Sequence, residues 1–237
     1  MNVNLHVIHV GKCGGSTITE LINSCNTVTS RYQHIYFSHV EGFKFFENCD
    51  YVLCLRNPIA RAISAFAWRR KLVLVDSHPN QVNRFSGELN VFQRYSNFAE
   101  MLELLYLESD DTLDQYVARD FNLIHHLREN IHFYLSPLEN ILSSSNLLGI
   151  ICQETLSEDC LQLFGIHVGQ TFRRYNISKS DQVGVLSPRA IKNLKRYLSD
   201  DYLSITRLWS CGLLDDYKFK LLMFNDAENP KKASSSA

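Results

Sequence analysis

The sequence contains no apolar run that approaches the ~20 residues a bilayer-spanning helix requires. Its first apolar stretch, Leu5–Val10, is short, contains polar residues and leads directly into a glycine-containing loop, which is unlike a secretory signal peptide. A net charge of −1 provides no global basic field of the kind that attracts nucleic acid or an anionic membrane. We therefore expect a cytoplasmic protein with no membrane span and no nucleic-acid partner, in which any anion-binding site is local.

Metal-binding and disulfide patterns are also missing. The seven cysteines are scattered, include no C-x-x-C pair and form no Cys/His set with zinc spacing. His125 and His126 are adjacent on a predicted helix, but a metal site would need further ligands, so no metal is predicted. Most cysteines are expected to be reduced and buried, whereas Cys13 is expected to have a lowered pKa and a reactive thiol inside an anion-binding loop.

Apolar patterning along the 237 residues predicts a three-layer α/β domain with a central parallel sheet flanked by helices. Residues 1–228 are interpreted as one domain, with residues 72–95 as an insertion or substrate loop and residues 229–237 as a disordered tail. Strands are predicted at Leu5–Val10, Ile35–Phe37, Tyr51–Leu55, Ile131–Leu135 and Leu147–Cys152. Helices are predicted at Ser16–Cys25, Pro58–Arg70, Asn97–Leu107, Leu156–Phe164, Pro188–Leu198 and Asp201–Trp209.

A phosphate-binding pattern follows the first predicted strand. Residues 11–17, with the sequence GKCGGST, combine glycines, one lysine and two hydroxyls at the start of a predicted helix. Glycines allow backbone N–H groups to converge on an anion, and the helix N-terminus and the lysine add positive charge. Because Lys12 precedes Gly14 and Gly15, the loop does not match the Walker A order G-x-x-x-x-G-K-[ST]. An ordinary strand-turn-helix corner is the alternative interpretation.

A second basic pattern follows the third predicted strand. Arg56 stands directly after Tyr51–Leu55, at the edge where open α/β sheets bind ligands. The next helix is predicted from Pro58 with Asn57 as its N-cap, and Ser64 lies two turns into it. An arginine fork and a hydroxyl can together hold a phosphate monoester. Taken separately, Arg56 is better explained by a surface salt bridge and Ser64 by a solvated helix position.

Together the two patterns resemble those of the sulfotransferases that use 3′-phosphoadenosine 5′-phosphosulfate (PAPS). Strand-Lys-x-Gly-Gly-[Ser/Thr]-Thr resembles the 5′-phosphosulfate loop of this family, and strand-Arg-Asn-Pro-x-x-Arg-x-x-Ser-x-Phe resembles its 3′-phosphate site. The loop departs from the family pattern at Gly11, where proline is usual, and at Cys13, where threonine is usual. The resemblance implies a P-loop-type fold and a cofactor site composed of Lys12, Cys13, Gly14, Gly15, Ser16, Thr17, Arg56, Ser64 and Arg174, with Arg173 as an alternative to Arg174.

Sulfuryl transfer requires a base for the acceptor's proton and positive charge at the departing phosphate. Lys12 is predicted to supply that charge, so no metal is required. His39 is the first candidate for the base, because a neutral imidazole suits the role and because its His-Val pair resembles the catalytic segment of uronyl 2-O-sulfotransferases. Glu41 is the second candidate. Glu20 is expected to face solvent, and His9 is expected to align the loop.

These patterns predict a PAPS-dependent sulfotransferase that transfers a sulfuryl group to a hydroxyl, or less favourably an amine, of a carbohydrate or small-molecule acceptor. A chain that begins almost at its first strand favours a bacterial or viral cytoplasmic enzyme over a membrane-anchored Golgi enzyme. Two alternatives are left open: a nucleotide or metabolite kinase with a divergent loop, and a non-catalytic descendant that binds 3′-phosphoadenosine 5′-phosphate (PAP).

Overall fold

A four-stranded, all-parallel sheet forms the centre of the protein in the computed structural model, which describes residues 3–39, 46, 48–109, 111–136, 146–168 and 183–224. The strands are β1 (Asn4–His9), β2 (Ile35–His39), β3 (Cys49–Leu55) and β4 (Leu147–Cys152), in the order β2-β1-β3-β4. At the carboxyl end, His9 is paired with His39 of β2 and with Cys54 of β3. Helices surround this sheet, so the predicted α/β fold is confirmed.

The helices connect the strands and form a second apolar layer beside them. Their bounds are α1 (Gly15–Ser24), α2 (Asn26–Thr29), α3 (Pro58–Arg70), α4 (Pro79–Arg84), α5 (Glu88–Arg94), α6 (Phe98–Glu103), α7 (Gln115–Leu123), α8 (Ile131–Leu135), α9 (Leu156–Phe164), α10 (Pro188–Tyr197), α11 (Ser199–Ser210) and α12 (Asp216–Phe224). A π-helical turn, Lys71–Val75, extends α3. None of the helices in the described ranges combines the length and the apolar character needed to cross a bilayer.

Buried apolar side chains form two clusters, and α3 belongs to the second. The first surrounds β1, β3 and β4 and includes residues of α1, α8, α11 and α12. The second lies between α3 and helices α5, α6, α7 and α10. Because α3 starts directly after β3 and is held by the second cluster, its first turns have a fixed position at the carboxyl edge of the sheet.

The predicted strand at Ile131–Leu135 is wrong, since this segment is helix α8. Asn130 caps the helix by accepting a hydrogen bond from the N–H of Phe133 at 2.8 Å. The buried residues are Ile131, Tyr134 and Leu135, which have the i, i+3, i+4 spacing of a helix face rather than the alternation of a strand. The segment is so short and apolar that its periodicity alone did not distinguish the two structures.

Residues 72–95, predicted as an insertion or substrate loop, are largely helical. They contain most of the π-helical turn together with α4 and α5. Helix α4 has no buried residue, so it produces no amphipathic pattern in the sequence. Helix α5 is tied to α3 by Glu88, which is fully buried and pairs with Arg69 at 2.5 Å. The predicted tail, residues 229–237, lies outside the described residues.

Candidate anion-binding site at the carboxyl edge of the sheet

Residues from four separate segments meet where the parallel strands end. β1 ends at His9 and β2 ends at His39, while Arg56 directly follows β3 and Glu154 closely follows β4. The carboxyl edge is the side at which open α/β sheets receive their ligands. Both patterns found in the sequence therefore lie at one edge of the molecule.

The loop after β1 presents the start of α1 to this edge. Lys12 and Gly14 both have positive φ angles, 71° and 81°, a conformation that costs glycine least. Helix α1 begins at Gly15, and no side chain in the described part of the chain caps it. The first N–H groups of a helix lack intrahelical acceptors, and the positive end of the helix dipole adds to their attraction for an anion. The loop thus has the backbone features of a phosphate cradle.

Two loop glycines are required by close contacts with histidine rings. A Cβ atom at Gly15 would lie 1.9 Å from Cδ2 and Nε2 of His9, and one at Gly11 would lie 2.6 Å from Nδ1 of His126. Any larger residue at position 11, including the proline usual in the resembled family, would need the space that His126 occupies. The glycine at position 11 is therefore explained by this histidine.

Lys12 and Arg56 form a pair of half-buried cations beside the loop. Nη1 of Arg56 donates to the carbonyl oxygen of Lys12 at 3.4 Å, and Nζ of Lys12 lies 4.7 Å from the ring centroid of Trp68. Burial, and then repulsion by Arg56, lower the pKa of Lys12 from 10.5 to about 8. Within the described ranges neither cation forms an ion pair with a carboxylate. The carboxyl of Glu154 acts electrostatically on Arg56 without reaching ion-pair distance, so the two neighbouring cations favour anion binding.

The residues of the second basic pattern lie at the start of helix α3 and on the face of α3 that is directed to the loop. Its N-cap, Asn57, accepts a hydrogen bond from the N–H of Ala60 at 3.0 Å, which fixes the helix start immediately after Arg56. Ser64 is 8% exposed and precedes Trp68 by four residues, so both belong to one face of α3. Because Trp68 contacts the Lys12 ammonium, this face is the one directed to the loop.

Two acceptors beside the loop were not among the predicted site residues. Oε1 of Glu154 accepts a hydrogen bond from the N–H of Asn57 at 2.9 Å, whereas Oε2 is buried without a partner in the described part of the molecule. Burial raises the pKa of Glu154 above its ordinary value. Gln153 has a similarly unpartnered Oε1, and its Cγ lies 3.7 Å from the place of a Cβ at Gly14. Their position directly after β4 was the available sequence signal.

Three histidine rings lie against one another beside the ends of β1 and β2. The rings of His9 and His39 are 4.7 Å apart and nearly parallel, and His126 lies 5.1 Å from His39. Burial lowers the pKa of His9 to about 3 and that of His126 to about 2. Burial, and then the charge of His125, lower the pKa of His39 as well. His39 is the most solvent-accessible of the three rings, and its lowered pKa keeps the imidazole neutral near pH 7, as a general base must be.

Comparison with known proteins found no matching family model, no similar curated protein and no similar solved structure. The function of the site therefore has to be inferred from the side chains and backbone that form it.

The prediction that Cys13 is a reactive thiol is wrong. Its side chain is fully buried, and burial raises its pKa to about 12. Sγ points back to the carbonyl oxygen of Gly11, 3.9 Å away, so only the backbone of Cys13 is directed to the loop surface. The loss of a threonine hydroxyl at this position thus removes no side-chain contact with an anion in the loop.

We expect a thiol-modifying reagent to react with Cys211 and Cys25 in the native protein and to leave Cys13 unmodified. Cys211 is exposed, and a hydrogen bond with Thr27 lowers the pKa of Cys25, whereas Cys13 can react only when the loop opens. Peptide mass spectrometry after brief alkylation measures each site. Modification of Cys13 as fast as that of Cys211 would contradict the placement of its side chain.

The remaining predicted site residues lie either on α1 or outside the described residues. Ser16 is exposed and Thr17 is half-buried in the first turn of α1. Glu20 is exposed further along α1, which confirms that it faces solvent. Glu41, Arg173 and Arg174 lie outside the described residues.

Proposed function

We propose that the protein transfers a sulfuryl group from PAPS to a hydroxyl of a carbohydrate or small-molecule acceptor. The observation that carries the proposal is the cation pair, Lys12 and Arg56, which stands without a carboxylate partner in the described ranges beside the uncapped N-terminus of α1. One phosphate would need only the loop and Lys12. A second cation and the Ser64 face of α3 suit a ligand with a second phosphate, such as a 3′-phosphorylated nucleotide.

In this proposal the residues of the loop hold the 5′-phosphosulfate, and Arg56 with Ser64 holds the 3′-phosphate. Transfer breaks the bond between sulfur and the bridging phosphate oxygen and forms one between sulfur and the acceptor oxygen. His39 takes the acceptor's proton, and PAP leaves with its new negative charge next to Lys12. Positioning and fixed positive charge are the main contributions to rate in transfers of this kind.

The stacked rings support His39 as the base. His9 contacts Gly15 of the loop and stacks on His39, so the base and the anion cradle are held in one packed unit. Glu41 stays the second candidate for the base. A kinase with a divergent loop and a PAP-binding descendant without activity are the competing proposals.

An activity assay that follows PAP release from PAPS over a panel of saccharides and small alcohols tests this function. We expect His39→Ala to lower kcat by about 10²–10⁴-fold while leaving PAP binding intact, because the base acts only in the transfer step. Glu20→Ala, on the exposed face of α1, is the matched control and should have wild-type activity. Turnover of ATP with Mg²⁺, and none of PAPS, would favour the kinase.

The affinity for PAP is expected to fall as the pH rises from about 7 to about 9.5. Lys12, with a pKa of about 8 in the free protein, is charged below this range and neutral above it, and a bound anion favours its charged form. The loss should approach tenfold per pH unit at most, since one proton is involved, about 1.4 kcal/mol per unit. Calorimetry at several pH values measures the slope, and Lys12→Met should flatten it. A slope unchanged in Lys12→Met would exclude this lysine from the anion site.

A further inference from the structure

Three potential metal ligands lie together in the turn between α7 and α8. Among the described residues, His125, His126 and Glu129 form the one group whose nitrogen and oxygen ligand atoms all lie within 4.8 Å of one another. They are 8%, 6% and 3% exposed, respectively. Nδ1 of His125 lies 3.0 Å from Oε2 of Glu129. The two histidines are predicted to lie on a helix, but α7 ends at Leu123, and the following turn brings Glu129 to them.

Neighbouring charged side chains hold this turn in place. Nη1 of Arg61, which is fully buried, donates to the carbonyl oxygens of His126 and Glu129 at 2.7 and 3.3 Å. Glu88 accepts a hydrogen bond from the N–H of His125 at 2.6 Å. The three candidate ligands are thus fixed by groups that are themselves buried, which is the support that metal sites obtain from residues around their ligands.

One ring nitrogen of His126 has no hydrogen-bond partner in the described part of the chain. This nitrogen is Nδ1, and it is buried. His126 also has a positive φ of 69°, which is uncommon for a residue with a side chain. Native proteins rarely leave a buried nitrogen unpaired unless a water or an ion satisfies it. Oε1 of Glu129 accepts hydrogen bonds from Arg128 at 2.5 and 2.8 Å, and Oε2 accepts one from the N–H of His126 at 2.7 Å. A cation at this group would bind Oε2 and satisfy histidine nitrogens, while Arg128 holds the other carboxylate oxygen.

We propose that His125, His126 and Glu129 bind one divalent transition-metal ion of the Zn²⁺ type. Two imidazoles and one carboxylate are a donor set that suits zinc, and three protein ligands are the number found in zinc sites that keep a position open. The site lies beside the anion cradle, because His126 contacts Gly11 and lies 5.1 Å from His39. The proposal goes beyond sulfuryl transfer and does not depend on it.

The test is Zn²⁺ titration of the full chain after removal of metal and alkylation of accessible thiols, which keeps Cys25 and Cys211 from competing. Isothermal calorimetry and metal analysis should give one Zn²⁺ per chain. Glu129→Gln and His125→Ala should weaken binding by at least ~10-fold. His78→Ala, which removes an exposed histidine far along the sequence from the turn, is the matched control and should bind like the wild type. Circular dichroism checks the fold of each variant.

X-ray absorption spectroscopy of the Zn²⁺-loaded wild type provides a result that does not depend on any variant. Two imidazoles and an oxygen ligand, without sulfur, are expected. The proposal is overturned if the wild type binds no Zn²⁺, if the spectrum shows other ligands, or if Glu129→Gln and His125→Ala fold and bind as tightly as His78→Ala. Since no nucleotide is involved, failure here leaves the proposed function standing, and failure of PAP binding leaves the metal site standing.

Discussion

Replacing Glu88 with alanine is expected to lower the free energy of unfolding by about 3–5 kcal/mol. Glu88 is 0% exposed and accepts hydrogen bonds from Nε and Nη2 of Arg69 at 2.5–3.1 Å. The variant leaves the Arg69 guanidinium, which is 2% exposed, without its counterion. It also removes the acceptor of the His125 N–H, so the turn between α7 and α8 loses one of the hydrogen bonds that hold it.

Urea denaturation measures this loss, and two further variants show its origin. The exposed pair Lys71 and Asp76 is the matched control, and Asp76→Asn should change stability by less than about 1 kcal/mol. The double variant Arg69→Met/Glu88→Leu should recover much of the loss, because it removes both charges from the interior. A cost for Glu88→Ala as small as that for Asp76→Asn would mean that the pair is not buried as described.

Gly15→Ala is expected to cost about 1–3 kcal/mol of stability and to weaken anion binding. The added methyl group would lie 1.9 Å from the ring of His9, which is itself stacked on His39. The ring therefore cannot move without displacing its neighbour or the loop. Because φ at Gly15 is not positive, the effect is steric and does not come from backbone strain.

A double-mutant cycle with His9→Ala isolates this contact. His9→Ala removes the ring, so adding Gly15→Ala to it should have little further cost, whereas Ser16→Ala should cost little in either background because Ser16 is exposed. Thermal denaturation provides the stabilities. If Gly15→Ala is equally destabilising with and without His9, the loop is not packed against this histidine.

The helices and strands whose ends are marked in the sequence, for example by a capping residue or a proline, could be predicted. α3 has its predicted bounds because Asn57 caps it and Pro58 occupies its first turn. β4 and α9 also have their predicted bounds. Ile131–Leu135 was mistaken for a strand because four of its five residues are aliphatic or aromatic, and so short an apolar run fits either structure until the contacts of Tyr134 and Leu135 are known.

The interior of the candidate site was less predictable, since it depends on contacts between distant segments. The turn that Lys12 and Gly14 make sets the direction of the Cys13 side chain, which is buried. The thiol is therefore inert, whereas the sequence predicted a reactive one. The association of His126 with Gly11 joins residues more than a hundred positions apart. No local pattern indicates such a contact, whereas Arg56 was found because strand ends of a parallel sheet share one edge.

The measurement that tests the central claim most directly is calorimetric titration with PAP, ADP and 5′-AMP in the absence of metal. If Lys12 and Arg56 form a site for a 3′-phosphorylated nucleotide, PAP should bind more tightly than the other two by about 1.5–3 kcal/mol, the contribution of a hydrogen bond to a charged group. Arg56→Ala should remove this difference while leaving the binding of 5′-AMP unchanged. Equal binding of the three nucleotides, or no binding of any, would contradict the proposed function.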